Sequence, residues 1–272
     1  MKKVVVAMKD RFSARYLLAQ MVVSALIISF LGVSASTLAR ENRRLELLTK
    51  ALEAQDQGRD DAAIELYREV IQDGLINGHL FYNLGISYYK SARMGEAMAA
   101  FLAAQRYLPR HPDVRANVKF VQSKIGDKLE AERPAGFMAR VYRITDWFTK
   151  KEIAYLALLS TLIISVVTLV GIFYQKYRVL TTYGWMSFLI PCALCFMLML
   201  KWIGDPRWGA IRSNEGAKVY SGPGENHTLL FTLQVGAPIF LSGQERQNYL
   251  PIEISDGKKG WVSANQVAFF GE

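Results

Sequence analysis

The amino-acid sequence repeats a set of small and large apolar residues at an interval of about 34 positions. The pairs that share this interval are Leu47 and Phe81, Ala51 and Gly85, Ala63 and Ala97, and Tyr67 and Phe101. A unit of this length cannot bury its apolar side alone, so neighbouring units have to stack on one another. The interval therefore predicts an array of helix pairs in the first half of the chain.

The second unit fills the positions of the tetratricopeptide-repeat pattern, in which two antiparallel helices pack closely because small residues lie between them. Its signature residues are Phe81, Leu84, Gly85, Tyr88, Ala97, Phe101, Ala104 and Pro109. Downstream, an apolar stripe formed by Val114, Val118, Val121 and Ile125 is typical of a capping helix. We therefore expect tetratricopeptide repeats with a capping helix over residues 40–131. An ordinary helical bundle with coincidental spacing is the alternative.

Tetratricopeptide folds line their concave surface mainly with the first helix of each repeat, and this predicts a groove that binds a partner protein. The candidate groove residues are His79, Tyr82, Asn83, Tyr89 and Lys90, with Asn117 on the capping helix. Asparagine and lysine side chains are suited to hold a peptide backbone or a carboxylate. The alternative is a solvated helix face. In the first repeat the corresponding positions carry Leu48 and Leu52.

The 272-residue chain has a formal net charge of +9, and most of the excess borders apolar runs. Residues 1–15 and residues 132–206 contribute +4 each, whereas residues 40–131 contribute +1. Nucleic-acid binding typically needs a compact basic face with interleaved aromatic residues, and neither the repeat region nor the C-terminal region has such a pattern. We therefore expect no nucleic-acid partner.

Residues 1–39 combine a basic start, an apolar run and a group of small residues, which is typical of a secretory signal peptide. Cleavage after Ala35 or Ala39 fits this interpretation. The uncharged run at 16–39 is also long enough to stay in place as an N-terminal anchor, so both alternatives remain open.

Two later runs, at 153–174 and 179–200, contain no charged residue and match the roughly 20 residues that cross a bilayer. They predict transmembrane helices at 153–174 and 179–203, after an amphipathic linker at 132–152 that lies in the membrane interface. A T-x-x-E capping box, Thr149 and Glu152, predicts where the first of these helices begins. The predicted location is the bacterial inner (cytoplasmic) membrane, with both other regions facing the periplasm or cell exterior. This orientation inverts if the first apolar segment does not insert.

After Trp208 the apolar period changes from that of a helix to that of a strand. Short runs separated by turn residues predict strands at 218–220, 229–233, 239–241 and 250–254. The sequence D-G-K-K-G-W-V at 256–262 resembles the hairpin of bacterial SH3 domains, and the resemblance implies a small all-β barrel over 207–272. Some members of that family bind cell-wall peptides. The surface candidates here are Tyr220, Phe240, Tyr249 and Trp261, and the alternative is that these rings fill the barrel core.

The sequence contains no pattern that indicates catalysis. The three histidines lie far apart along the chain without metal-ligand spacing, and no glycine-rich phosphate loop precedes a helix. The pair Cys192 and Cys195 has the C-x-x-C spacing of redox proteins, but it lies in an apolar run where burial disfavours the thiolate. We therefore expect no enzyme activity, no cofactor and no metal, and we interpret the cysteine pair as packing residues.

The order of the segments resembles that of the BatE-type proteins of the Bat aerotolerance group. The motif Y-N-L-G-x-x-Y-Y at 82–89, followed by P-R-H-P-D-V-R-A-N at 109–117, is similar to the repeat and cap of that family. The resemblance implies membrane partners of the von Willebrand-type Bat class, a neighbouring MoxR-type ATPase, and a role in oxidative or envelope stress.

These patterns together predict a multi-domain membrane protein with an α-helical tetratricopeptide array, two transmembrane helices and a C-terminal SH3-like barrel. The predicted function is that of a non-enzymatic scaffold or adaptor for protein–protein interactions in the bacterial envelope. The alternative is a peptidoglycan-binding protein in which the repeats serve as a spacer. A thiol oxidoreductase, based on the cysteine pair alone, is a third hypothesis.

Overall fold

The computed structural model describes residues 37–125, 145–173, 189–203 and 207–270. The first apolar segment and most of the predicted interfacial linker lie outside these residues. The helices are α1 (37–56), α2 (Asp60–Gln72), α3 (Gly78–Lys90), α4 (Met94–Tyr107), α5 (Pro112–Lys124), α6 (Lys150–Phe173) and α7 (Leu189–Ile203). Three-residue turns at 57–59 and 91–93 join α1 to α2 and α3 to α4, so each of these pairs folds back on itself.

Local sequence explains where several of these helices begin. The side chain of Asn77 caps α3 by accepting a hydrogen bond from the backbone nitrogen of Leu80 at 2.8 Å. Pro112 occupies the first turn of α5, where its missing N–H costs nothing. The capping box at α6 forms in both directions: Thr149 N donates to Glu152 Oε2 at 2.8 Å, and Glu152 N donates to Thr149 Oγ1 at 3.2 Å.

The C-terminal region forms one antiparallel sheet of seven strands in the order β3-β2-β6-β5-β4-β1-β7. The strands are β1 (Arg207–Ile211), β2 (Ala217–Tyr220), β3 (Leu229–Leu233), β4 (Pro238–Leu241), β5 (Tyr249–Glu253), β6 (Lys259–Ser263) and β7 (Val267–Phe269). Alternate residues of these strands enclose a separate aliphatic core that includes Val219, Ile239, Ile252 and Val262.

The helices and the sheet share a hydrophobic cluster. α4 packs against β1 and β7, and Ala210 and Ala268 of these strands are buried in the same cluster as the α3 and α4 side chains. A Cβ atom on Gly95 of α4 would collide with the backbone of Ile211 and Arg212. Glycine at this position therefore allows the helix and the strand to approach closely.

The predicted fold class, a multi-domain membrane protein with a repeat array, two transmembrane helices and a separate barrel, is wrong. Among the described residues, no helix is both long and apolar enough to cross a membrane. The run predicted at 153–174 lies almost wholly in α6, which begins with the charged residues Lys150, Lys151 and Glu152. The described part of the second predicted span is α7, and residues 179–188 of that span lie outside the described residues.

The predicted location in the inner membrane is wrong by the same finding. The prediction of two long spans rested on apolar composition alone. Near the C-terminal end of α7, the side chain of Lys201 is almost fully buried. Among the described residues, α4 packs on the seven-stranded antiparallel sheet and shares a hydrophobic cluster with it.

Candidate functional site

A row of aromatic side chains lies along α3 and α5 on the side away from the sheet. The rings of His79 and His111 meet edge to face with centroids 5.8 Å apart, and the ring of Tyr82 lies 6.1 Å from that of His111. Two turns further along α3, the rings of Tyr89 and Phe120 meet with centroids 5.4 Å apart. We call these five residues the α3–α5 surface.

The geometry of α3 places this surface apart from the residues that contact Phe270, and Tyr82 and Tyr89 are themselves partly buried against the helical core. Phe81 and Tyr88 each hold their ring centroid 6.0 Å from that of Phe270, which follows the last strand of the sheet. Tyr82 and Tyr89 follow them by one residue each and are therefore rotated by about 100° around the helix. One side of α3 thus contacts the sheet, while the other contacts α5.

Three of the predicted groove residues, His79, Tyr82 and Tyr89, lie together on this surface. Sequence reasoning missed His111 and Phe120, although both follow the repeat into the capping helix. Lys124 was also missed, and its Nζ atom lies 5.5 Å from the centroid of the Phe120 ring. Phe120 keeps 44% of its surface exposed, which leaves an aromatic face available to solvent. The sequence did contain a signal for these residues: Phe120 lies outside the apolar stripe of the capping helix and four residues before Lys124.

The other predicted groove residues point elsewhere. The backbone oxygen of Asn83 accepts a hydrogen bond from Nε2 of Gln55 on α1 at 3.0 Å. Nζ of Lys90 lies 3.9 Å from Oδ1 of Asp60 at the start of α2. Asn117 is half-buried on α5. Asn83 and Lys90 therefore help to join α3 to α1 and α2.

A buried polar network fixes these three helices. The hydroxyl group of Tyr67 donates to Oε1 of Gln55 at 2.9 Å, and Nε2 of Gln55 also lies 3.0 Å from the hydroxyl oxygen of the fully buried Ser87. Burial, reinforced by the negative charge of Asp56, raises the pKa of Tyr67 to about 12, although hydrogen bonding with Asn83 opposes the shift. The phenol is therefore neutral at physiological pH and serves as a hydrogen-bond donor.

Helix α1, which supplies Gln55 to this network, also carries a row of exposed leucines. Leu38, Leu45 and Leu52 are 63%, 53% and 39% exposed and recur every seven residues, so they lie on one side of the helix. Two leucines at groove positions of the first repeat, Leu48 and Leu52, were predicted from the sequence. Of these, Leu48 is partly buried against the helical cluster and Leu52 is exposed.

The signature residues of the repeat pattern contribute to packing between the helices and do not form an exposed surface. Phe81, Leu84, Gly85, Tyr88, Ala97, Phe101 and Ala104 are buried, and Pro109 is half-buried in the turn before α5. A Cβ atom on Gly85 would lie 2.7 Å from ring atoms of Phe101, so the glycine lets this ring pack against α3.

A second aromatic group lies on the sheet. Tyr220 pairs with Trp261 across β2 and β6, and the ring of Tyr220 meets that of Tyr249 edge to face at 6.3 Å. Tyr249 and Trp261 are half-buried, whereas Tyr220 is largely buried. The fourth predicted residue, Phe240, lies apart and packs against Trp208 with ring centroids 3.7 Å apart. We call Tyr220, Tyr249 and Trp261 the sheet aromatic patch.

Groups that could support metal or redox chemistry are sparse. Within the four described ranges, no cluster of three or more His, Cys, Asp or Glu residues is arranged to hold a metal ion. Cys192 and Cys195 are free thiols on the exposed side of α7.

No protein-family model matches the chain, and a comparison with curated proteins also finds no match. The functional argument therefore depends on the surfaces described above.

Proposed function

We propose that this protein is a non-enzymatic adaptor that binds a short segment of another protein on the α3–α5 surface. The observation that carries the proposal is the row of partly exposed rings on α3 and α5, on the side of the helices that does not contact the sheet. Aromatic residues are enriched where proteins bind one another, because each ring offers a large contact area at a small entropic cost.

The neighbouring side chains define what kind of segment fits. Apolar side chains of a partner would contact Tyr82, Tyr89 and Phe120. Lys124 and the two histidines supply donors beside the rings, which suits a segment with carboxylate or carbonyl groups next to its apolar residues. The hydrogen bonds of Tyr67, Gln55 and Ser87 join α3 to α1 and α2, which helps to hold α3 in place before a partner arrives.

The resemblance to BatE-type proteins supplies candidate partners. It implies the von Willebrand-type Bat proteins, and this remains a prediction that rests on the quoted motifs alone. Binding assays with such a protein follow once contact through the α3–α5 surface has been demonstrated.

Site-specific photocrosslinking tests the adaptor proposal. A benzophenone amino acid replaces Tyr89, and in a control chain it replaces the exposed Asn265 in the short 3-10 helix between β6 and β7. We expect a discrete adduct with another protein from position 89, none of the same size from position 265, and loss of the adduct when Phe120→Glu is added. An adduct that survives Phe120→Glu, or no adduct at position 89, contradicts the proposal.

The sheet aromatic patch favours a second candidate function, the binding of peptidoglycan. Half-buried rings of Tyr249 and Trp261 offer flat surfaces of the kind that contact sugar rings. The test is co-sedimentation of the full chain with purified peptidoglycan, compared with a Tyr249→Ala variant whose circular dichroism is unchanged. Loss of pelleting in the variant supports this function, and equal pelleting of both chains contradicts it.

A further inference from the structure

One side of α7 carries three sulfur-containing side chains. Cys192 and Cys195 are free and exposed thiols, and Met199 is 53% exposed. Because an α-helix has about 3.6 residues per turn, these three positions fall within roughly 60° of the helix circumference. Side chains three and four positions apart are neighbours on a helix, with Cβ atoms about 5–6 Å apart. An ion beside Cys195 can therefore be reached by the sulfur atoms on either side of it. We call Cys192, Cys195 and Met199 the sulfur row.

The sulfur row faces away from the buried side of α7. The helices α6 and α7 pack against each other. Leu194 and Met197 of α7 are half-buried, and Lys201 is buried. These three positions lie roughly 140–200° around the helix from Cys192. An ion can therefore reach the sulfur row from solvent without displacing α6.

The ligands that this side of α7 offers are soft. Thiolate and thioether groups select Cu(I), Zn²⁺ or iron–sulfur clusters. Structural zinc sites have a full tetrahedral set of protein ligands, and among the described residues no His, Asp or Glu joins the two cysteines in a metal-binding cluster. Iron–sulfur clusters use more cysteine ligands than the two in this chain. Cu(I) fits better, because it forms stable low-coordinate complexes with sulfur.

We propose that the sulfur row binds a single Cu(I) ion, with Sγ of Cys192, Sγ of Cys195 and Sδ of Met199 as its ligands. Each thiol loses its proton to solvent when its sulfur binds the metal, because the thiolate is the form that ligates. The oxidation states of copper and of both cysteine sulfur atoms stay the same, so binding needs no oxidant or reductant. The cysteines act here as ligands and not as a redox pair.

This site is separate from the α3–α5 surface and from the sheet aromatic patch, because all its residues belong to α7. Its existence does not depend on the proposed adaptor function. It replaces the sequence-based interpretation of the cysteine pair, which assigned both residues to packing and expected no metal.

A competition titration of the full chain under anaerobic conditions tests the site. Cu(I), added as its acetonitrile complex, is divided between the protein and the chelator bathocuproine disulfonate, whose absorbance reports the metal that the protein has not bound. We expect the wild-type chain to bind a single Cu(I) ion. Loss of an outer-sphere partner typically costs about 10–100-fold in metal affinity, so we expect Cys192→Ser and Cys195→Ser each to weaken binding at least about 100-fold.

The two methionines of α7 provide a matched pair of variants. Met199→Leu removes the third ligand, and we expect it to weaken Cu(I) binding about ten-fold. Met197→Leu makes the same change on the buried side of the helix, and we expect it to leave the affinity unchanged. Circular dichroism checks that all variants fold as the wild-type chain does. Equal affinities of the two methionine variants, or binding that survives the loss of either cysteine, overturn the proposal.

Protection of the thiols from alkylation is a second measurement, and it needs no variant. The chain contains two cysteines, so fragmentation mass spectrometry after iodoacetamide treatment assigns each modification to its position. We expect an equimolar amount of Cu(I) to slow the alkylation of both thiols at least about ten-fold, and the same amount of Zn²⁺ to have little effect. An unchanged alkylation rate with Cu(I), or equal protection by Zn²⁺, overturns the assignment.

Discussion

The hydroxyl group of Tyr67 on α2 donates a hydrogen bond to Oε1 of Gln55 on α1 at 2.9 Å, within a polar network that also reaches Ser87 on α3. Because burial raises the pKa of Tyr67 to about 12, the folded state holds this proton more tightly than the unfolded chain, in which the phenol has its ordinary pKa of 10.0. Folding stability from this group is complete below pH 10 and is lost as the pH rises through the folded-state pKa.

We therefore expect the urea midpoint of the protein to fall between pH 10 and pH 12, and to fall less steeply in Tyr67→Phe. At neutral pH the same variant loses about 1–2 kcal/mol, because the acceptor on Gln55 remains without its donor. Tyr155→Phe is the control, since this tyrosine is exposed on α6. Some alkaline loss persists in Tyr67→Phe because burial also raises the pKa of Tyr88. An identical pH profile for Tyr67→Phe and the wild-type chain contradicts the assignment.

The close packing of Gly85 against Phe101 predicts whether alanine at position 85 stabilises or destabilises the protein. Alanine in a helix interior normally stabilises by about 1 kcal/mol relative to glycine. Here its Cβ atom would lie 2.7 Å from the Phe101 ring, so we expect Gly85→Ala to destabilise the protein by about 1–3 kcal/mol in urea unfolding. In the double variant Gly85→Ala, Phe101→Leu the smaller side chain relieves the contact, and the two effects are not additive. A stabilised Gly85→Ala variant contradicts this packing argument.

Positions that are determined by local periodicity could be predicted from the sequence. Helical spacing and residue size identified Leu84, Gly85 and Phe101 as interior residues, and they are buried. Alternation placed a strand at 229–233, where β3 lies. These features depend on neighbours within one or two helical turns or one strand, and such patterns are visible in a single sequence.

Features that depend on distant contacts could not be predicted. Phe270 packs on Phe81 and Tyr88 from almost 200 residues away, and no local pattern indicates that pairing. The membrane prediction rested on apolar composition and was wrong, since no described helix is both long and apolar enough to cross a membrane. In the candidate site, repeat geometry indicated Tyr82 and Tyr89. Their ring partners on α5, His111 at the N-cap and the exposed Phe120, were not indicated.

The contact between the helices and the sheet can be tested at Phe270. Its ring lies 6.0 Å from those of Phe81 and Tyr88, so Phe270→Ala removes apolar contacts on both. We expect a loss of about 1–3 kcal/mol, together with faster amide hydrogen exchange in α3 and β7. Phe269→Ala is the matched control, because this neighbour is exposed. Equal effects of the two substitutions on exchange in α3 contradict the shared cluster.

The contribution of a buried cation to the stability of the protein can be measured at Lys201, near the end of α7. Its Nζ atom donates to the carbonyl oxygen of Thr145 at 2.8 Å and to that of Phe148, and it lies 3.9 Å from Oδ1 of Asp146. These bonds join α7 to the turn before α6. Lys201→Met keeps most of the side-chain volume but leaves two carbonyl groups without this donor, so we expect a loss of about 1–3 kcal/mol in urea unfolding.

Lys151→Met is the control for this substitution, because it removes the same charge from an exposed position in the first turn of α6. We expect its unfolding midpoint to stay within the error of the wild-type value, as for most surface substitutions. The Lys201 variant should also show faster hydrogen exchange at residues 145–152. If exchange there is unchanged while stability falls, the buried lysine stabilises α7 by another route, and the proposed bridge between the two helices is wrong.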